Sequence, residues 1–172
     1  RLSQFIHQQF GIKMPPAKKV LLESRLQKRL RALDINTFKA YCDYLLSPQG
    51  RDNELVNFID KITTNKTDFF REAEHFSFLT NQLLPELTTS REDARHNLTV
   101  WSAGCSTGEE PYTLAMVLNQ YKDLHPELAF DYSIIGTDIS MEVLRNAKSA
   151  EYKESCVDPI PLALKKKYLL RS

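Results

Sequence analysis

Two apolar, β-branched segments separated by a glycine turn and one helix length of chain constrain this sequence more than any other feature. Residues 98–112 read LTVWSAGCSTGEEPY, and residues 131–138 read DYSIIGTD. The first is a buried strand running into a glycine turn and a helix start. The second is a strand with β-branched residues at its centre and an acid at its end. A helical pattern over about 110–124 lies between them, which makes one β-α-β unit. In an open α/β sheet, the turn after the first strand is where a nucleotide-like ligand sits.

The residues of that turn narrow the ligand. A helix N-terminus attracts anions, yet Glu109 and Glu110 occupy this one. A pyrophosphate would meet two like charges. A ligand with an adenosine and a positive charge but no phosphate suits the site, and S-adenosylmethionine is such a ligand. Asp138, ending the second strand, is the candidate for the ribose hydroxyls. Gly104 and Gly108 give G-x-x-x-G rather than the full G-x-G-x-x-G fingerprint. A tight strand-to-helix turn that needs glycine only for positive φ is the alternative.

Composition sets the class. The 172 residues are 42% hydrophobic and 26% charged, ordinary for a globular protein. No apolar run approaches the roughly 18 residues of a membrane span, so no direct membrane insertion is expected. Residues 1–10 lack the apolar centre of a signal peptide. The net charge of +1 provides no global field toward nucleic acid or membrane. Cys42, Cys105 and Cys156 are odd in number and widely spaced. Neither a disulfide framework nor a metal site is indicated, and a reducing cytoplasm fits. Cys105 reads as a small residue filling a tight turn. The sequon beginning at Asn97 runs into a buried strand and reads as a chance match.

Residues 1–88 carry helical patterns and no strand. Pro15-Pro16 signals a helix start, and Val20, Leu21, Leu22, Leu26, Leu30 and Leu33 recur at helical spacing over 17–33. Asn36 or Asp34 is the expected cap of the next helix, with Phe38, Tyr41, Leu45 and Leu46 facing in. Residues 47–50 read as a turn and 51–62 as one helix presenting Leu55, Phe58, Ile59 and Ile62. A further helix is expected over 69–84, a surface loop over 88–97, a helix capped by Ser140 to about 150, and a short helix in the tail. The domains are therefore 1–88, all-helical, and 89–172, α/β. A doubly wound sheet needs roughly five to seven strands, and two are supplied here. Together with an arginine as first residue, this suggests a piece of a longer protein, cut within its α/β domain. In that case the sheet edge needs a cover, from a partner copy, a swapped domain or the tail.

Three blocks resemble a known family. They are RLRAL with the helical run to residue 62, TTNKTDFFREAEHF over 63–76, and WSAGCSTGEEPYTLAM over 101–116 followed by GTDIS and MEVLRNA. The chain resembles the N-terminal portion of the chemotaxis receptor methyltransferases, the CheR family of protein-glutamate O-methyltransferases. The resemblance implies an α+α/β chain: an N-terminal helical bundle linked to the first half of a Rossmann-like S-adenosylmethionine-dependent methyltransferase domain. It implies a cytoplasmic enzyme of bacterial chemotaxis adaptation. Methyl groups pass from S-adenosylmethionine, leaving S-adenosylhomocysteine, to glutamates on the cytoplasmic helices of methyl-accepting chemotaxis proteins. By motif position Asn65, Thr67, Arg71, Gly104, Glu110 and Asp138 correspond to cofactor-binding residues, and Arg71 to an arginine that matters for catalysis. The family's later strands lie beyond residue 172, so this portion alone is expected to be inactive.

Several of these residues have plainer readings. Arg71 suits a helix-surface salt bridge to Glu72 or Glu74 as well as a bidentate pair with a cofactor carboxylate. Asn65 and Thr67 suit helix caps. The basic run with Lys18, Arg25, Lys28 and Arg29 is a solvated face or, as the resemblance implies, a docking face for acidic receptor helices. Two other functions remain open: an NAD-dependent oxidoreductase, and a CheR-like module that binds cofactor or receptor without turnover.

Overall fold

The computed structural model describes residues 1–89 and 96–171. They form two compact units, Arg1–Thr64 and Asn65–Ser172. The helical pattern of the sequence places the end of the all-helical domain at residue 88. The structure divides at Thr64 instead, because the helices after it bury Leu84 with Leu118, Tyr121 and Phe130 in the core of the second unit.

The first unit contains α1 (Leu2–Phe10), a 3₁₀ turn (Pro16–Lys18) leading into α2 (Lys19–Ala32), α3 (Phe38–Leu46), α4 (Pro48–Asn53) and α5 (Leu55–Ile62). Helices α1, α2, α3 and α5 give apolar faces to a shared core of Ile6, Leu26, Leu30, Tyr41, Leu45, Phe58, Ile59 and Ile62, while α4 buries only Gly50. Val20 and Leu21 do not join it. At about 100° per residue they lie round the helix from Leu26 and Leu30, and Val20 is 76% exposed. The cap of α3 is Thr37, whose Oγ1 accepts from Ala40 N at 3.1 Å, rather than Asn36 or Asp34. Residues 47–50 are a helix start, not a turn. Ser47 Oγ accepts from Gly50 N at 3.1 Å and Pro48 takes the first helical position. The single helix expected over 51–62 breaks at Glu54, whose buried side chain is an acceptor in the core.

The second unit holds α6 (Ala73–Phe78), a π-helical stretch (Leu79–Leu83), α7 (Leu84–Thr89), β1 (His96–Ala103), α8 (Glu109–Leu124), β2 (Phe130–Thr137), α9 (Met141–Ser149) and α10 (Leu162–Tyr168). The strands pair in parallel, His96 opposite Phe130 through Ala103 opposite Thr137. This is the expected β-α-β unit. The expected loop over 88–97 lies outside the described residues save for its flanks. The helix expected over 69–84 starts only at Ala73 and passes through the π stretch. Pro85 explains the latter: it offers no N–H, and its ring crowds the carbonyl of Asn81. Ser140 caps α9 through Val143 N, as expected.

Alternation along the strands puts Leu98, Val100, Tyr132 and Ile134 against α8 and Leu84. The other sheet face carries Thr99, Trp101, Ser133 and Ile135. Trp101 is 69% exposed and Ile135 52%. The tail packs elsewhere, with Ile160 and Leu164 against Phe69 and Met116.

Candidate functional site

The turn from β1 to α8 is held from four sides. Gly104 N and Cys105 N both donate to the carbonyl of Thr137, at 2.7 and 2.9 Å, so the ends of the two strands are tied together. Ser106 N donates to Asp138 Oδ2 at 2.9 Å. Ser106 Oγ donates to the carbonyl of Asn65 at 2.9 Å. Tyr152 Oη donates to the carbonyl of Thr107 at 2.7 Å. Burial, and after it the charge of Glu109, pushes the Tyr152 phenol well above its usual range, so it stays a donor. Tyr152 also lies edge-on to Phe69 at 4.9 Å.

The two glycines do different work. Gly108 caps α8 at φ +100, and a Cβ there would come within 2.8 Å of Tyr152 Oη and 3.0 Å of Tyr112. Gly104 has φ +77, and a Cβ there would meet nothing within 4 Å. The space above Gly104 is thus open to a ligand that approaches the backbone closely.

Around that space stand acids with defined partners. Asp138 is half-buried. Its Oδ2 takes Ser106 N and its Oδ1 takes Ser140 N at 2.9 Å. An ionised carboxylate has about four lone-pair sites, so Asp138 can still accept from a pair of vicinal hydroxyls. Glu110 is exposed, and its Oε1 accepts from the buried Ser102 Oγ at 2.6 Å, which draws the carboxylate over the end of β1. Glu109 is buried, with Thr107 Oγ1 donating to its Oε2 at 2.6 Å. Both acids complement the positive end of α8 and oppose a phosphate there. Burial, followed by the charge of Asp138, raises the Cys105 thiol, and Glu110 adds to the effect. That environment suppresses a thiolate and agrees with a packing role.

The segment 65–71 reaches the same place. Asn65 is pinned by Ser106, and Phe70 N donates to Thr113 Oγ1 on α8 at 3.2 Å. Phe69 is buried among Met116, Ile160 and Leu164. Asn65 and Thr67 are half-buried in an irregular stretch six or more residues before α6, so neither caps it. Arg71 is exposed and outside any helix. Its Nη1 donates to the Lys66 carbonyl at 3.1 Å, rather than to Glu72 or Glu74. Phe70 and Glu72, on either side of it, have φ of +54 and +56. Left-handed backbone at such residues costs on the order of 1–3 kcal/mol each. The buried Phe69 side chain and the bond from Phe70 N to Thr113 hold the arginine in this kinked loop.

The structure therefore brings Asn65, Gly104, Glu110 and Asp138 together around one turn, with Thr67 and Arg71 on the segment packed beside it. Sequence reasoning passed over Ser102, Ser106, Thr113 and Tyr152. The two serines lie within the quoted motif and were legible as polar groups in a buried turn. Tyr152 is 45 residues from its partner, and no local signal announces it. Among the described residues no three His, Cys, Asp or Glu side chains converge as a metal site needs.

Residues 65–172 match the family described as CheR methyltransferase, SAM binding domain, and residues 1–63 match the CheR methyltransferase all-alpha domain. The chain belongs to the CheR methyltransferase family. The junction of the two matches falls where the compact units meet. Similar curated proteins include a chemotaxis protein methyltransferase of Borreliella burgdorferi, 42% identical over 98% of this chain and 59% of its own length. Another is a chemotaxis protein methyltransferase of Escherichia coli, 35% identical over 99% of this chain and 56% of its own. A third, chemotaxis protein methyltransferase 2 of Pseudomonas aeruginosa, is 36% identical over 94% and 54%. The chain spans a little over half the length of these CheR relatives. The SAM-binding match names the cofactor class that the open, acid-lined turn fits, and it displaces the NAD-dependent alternative.

On the first unit, the basic run of α2 divides into two sets. Arg29 Nε and Nη2 donate to Glu54 Oε1 and Oε2 at 2.8 and 2.6 Å, and Tyr41 Oη donates to Oε1 at 3.0 Å. The hydrogen bond to Glu54 holds the Arg29 guanidinium above even its ordinary range, against the opposing effect of burial. Arg25 Nη1 donates to the carbonyls of Ile62 and Thr63 at 3.1 and 3.0 Å, closing the C-terminus of α5. Lys18, Lys28 and Arg31 are exposed, and Val20 and Leu21 lie exposed on the same helix region. No helix among the described residues is long and apolar enough to cross a membrane.

Proposed function

We propose that the protein carrying this chain transfers methyl groups from S-adenosylmethionine to glutamate side chains of chemoreceptors, in the cytoplasm. The observation that carries the cofactor half is the turn at 104–108. Its backbone is open above Gly104, two acids bar a phosphate, and Asp138 keeps lone pairs for a ribose. S-adenosylmethionine, when bound, supplies an electrophilic methyl group. Asp138 binds the ribose hydroxyls, Gly104 allows close approach, and Glu110, Asn65 and Thr67 contribute polar contacts. Arg71, committed to one backbone carbonyl, has donors left for a carboxylate. We assign it to the cofactor's own carboxylate, because a tight bidentate pair with the acceptor would blunt an attacking glutamate.

The acceptor needs little acid-base help. A glutamate with a reference pKa of about 4.3 is ionised at neutral pH. The residues must therefore orient two reactants and keep water out. Orientation alone can supply up to roughly 7–11 kcal/mol.

The docking half of the proposal is refined by α2. Lys18 and Lys28 remain candidates for meeting acidic receptor helices, whereas Arg25 and Arg29 serve the packing of their own unit. The experiment uses the full-length protein carrying this sequence, labelled S-adenosylmethionine and chemoreceptor cytoplasmic fragments. Base-labile label on receptor glutamates is expected, reduced by Lys18→Glu with Lys28→Glu while cofactor affinity holds. Absence of label would refute the activity. Unchanged label in the double variant would move the docking face elsewhere.

A further inference from the structure

Ser106 touches both halves of the candidate cofactor site and uses a different group for each. Its backbone N–H fixes Asp138 Oδ2, and its hydroxyl fixes the carbonyl of Asn65, both at 2.9 Å. It is buried, with 6% of its surface exposed. Its φ is +50, a conformation that a serine seldom adopts. A hydroxyl has one proton to donate, and here that proton goes across 41 residues of sequence to the segment that carries Asn65, Thr67 and Arg71. Asp138 is meanwhile held at its second oxygen by Ser140 N.

We propose that Ser106 is a positioning residue for the cofactor site. Its hydroxyl docks the 65–71 segment onto the β1–α8 turn, so that Asn65 and Arg71 stand at a fixed distance from Asp138. It need not touch the ligand. This rests on the S-adenosylmethionine reading above.

The hydroxyl can be removed without removing the N–H, which separates its two functions. In Ser106→Ala, Asp138 keeps its contact and the Asn65 carbonyl loses one. In Ser106→Gly the hydroxyl is also lost, but the left-handed backbone is relaxed. A purely structural role would show in melting temperature, and glycine would then do better than alanine. A positioning role predicts that both variants lose affinity alike, whatever their melting temperatures.

The experiment uses the full-length protein carrying this sequence and titrates S-adenosylhomocysteine calorimetrically. Amide exchange over residues 65–68 is followed without ligand. Both variants are expected to bind about fivefold more weakly, the worth of one ordinary hydrogen bond, with faster exchange over 65–68. In turnover, KM for S-adenosylmethionine rises by about the same factor and kcat holds within about twofold, as for a lost uniform-binding contact. Wild-type affinity and exchange in either folded variant would overturn the proposal. Failure of the unmutated protein to bind S-adenosylhomocysteine would instead overturn the reading on which it rests. If the alanine variant does not fold, the glycine variant decides.

Discussion

Replacing Arg29 by alanine tests whether this arginine belongs to packing or to docking. Glu54 is 1% exposed and Arg29 21%, and they meet through two short hydrogen bonds. Alanine leaves the Glu54 carboxylate in the core with Tyr41 Oη as its close donor and Asn57 Nδ2 at 3.5 Å. Breaking a buried pair by removing one partner costs about 3–5 kcal/mol. The surviving Tyr41 bond places this case near the lower end, about 3 kcal/mol. For a unit of this size each kcal/mol moves Tm by roughly 4–8 °C, so the melting temperature of the Arg1–Thr64 unit falls by at least about 12 °C. Lys28→Ala, on the exposed side of α2, stays within about 0.5 kcal/mol of the parent. Urea unfolding followed by circular dichroism, with thermal melts alongside, reads both. A loss below about 1 kcal/mol for Arg29→Ala would refute the buried-pair argument. If the argument holds, reversing Arg25, Lys28 and Arg29 together would report unfolding as though it were lost docking.

Other consequences follow from the same contacts. Gly108→Ala sets a Cβ against Tyr152 Oη at 2.8 Å in a φ +100 backbone; a loss of at least about 1 kcal/mol in urea unfolding is expected, and an unchanged midpoint would contradict the clamp. Iodoacetamide should label the exposed Cys156 quickly and the buried Cys105 only on unfolding, and equal labelling rates by mass spectrometry would contradict the packing of the turn. Burial first, and the nearby Glu54 charge second, raise the Tyr41 phenol above its usual value. A raised folded value means that its contribution to stability is whole below about pH 10, the ordinary tyrosine value, and is lost as pH climbs past it. Unfolding titrations from pH 8 to 11 should show that loss and Tyr41→Phe should flatten it; identical slopes would count against the buried network.

Much of the second unit was legible because its signals are local. Alternation and β-branching marked both strands, glycines marked the turn, and Ser140 marked its helix. The parallel pairing followed from the helical length between them. What escaped is non-local or competes with a local signal. Pro85 shifted a helix into a π stretch, while the left-handed backbone at Phe70 and Glu72 delayed its start. Both were hidden under a pattern that reads as one continuous helix. In the first unit the charge pattern of α2 suggested a uniform basic face. Only the position of Glu54, 25 residues away, reveals that Arg29 faces inward. Within the site the glycines and acids of the motif were readable, while the clamping roles of Ser106, Thr113 and Tyr152 depend on partners 41 to 45 residues distant.

Whether the turn at Gly104 and Asp138 binds an S-adenosyl ligand is read by calorimetric titration of S-adenosylhomocysteine, with NAD as control, into the full-length protein carrying this sequence and into its Asp138→Ala variant. One saturable site for S-adenosylhomocysteine is expected, none for NAD, and at least about tenfold weaker binding in the variant, in keeping with lost hydrogen bonds to a charged group. Binding of NAD, binding of neither ligand, or undiminished affinity without Asp138 would contradict the account.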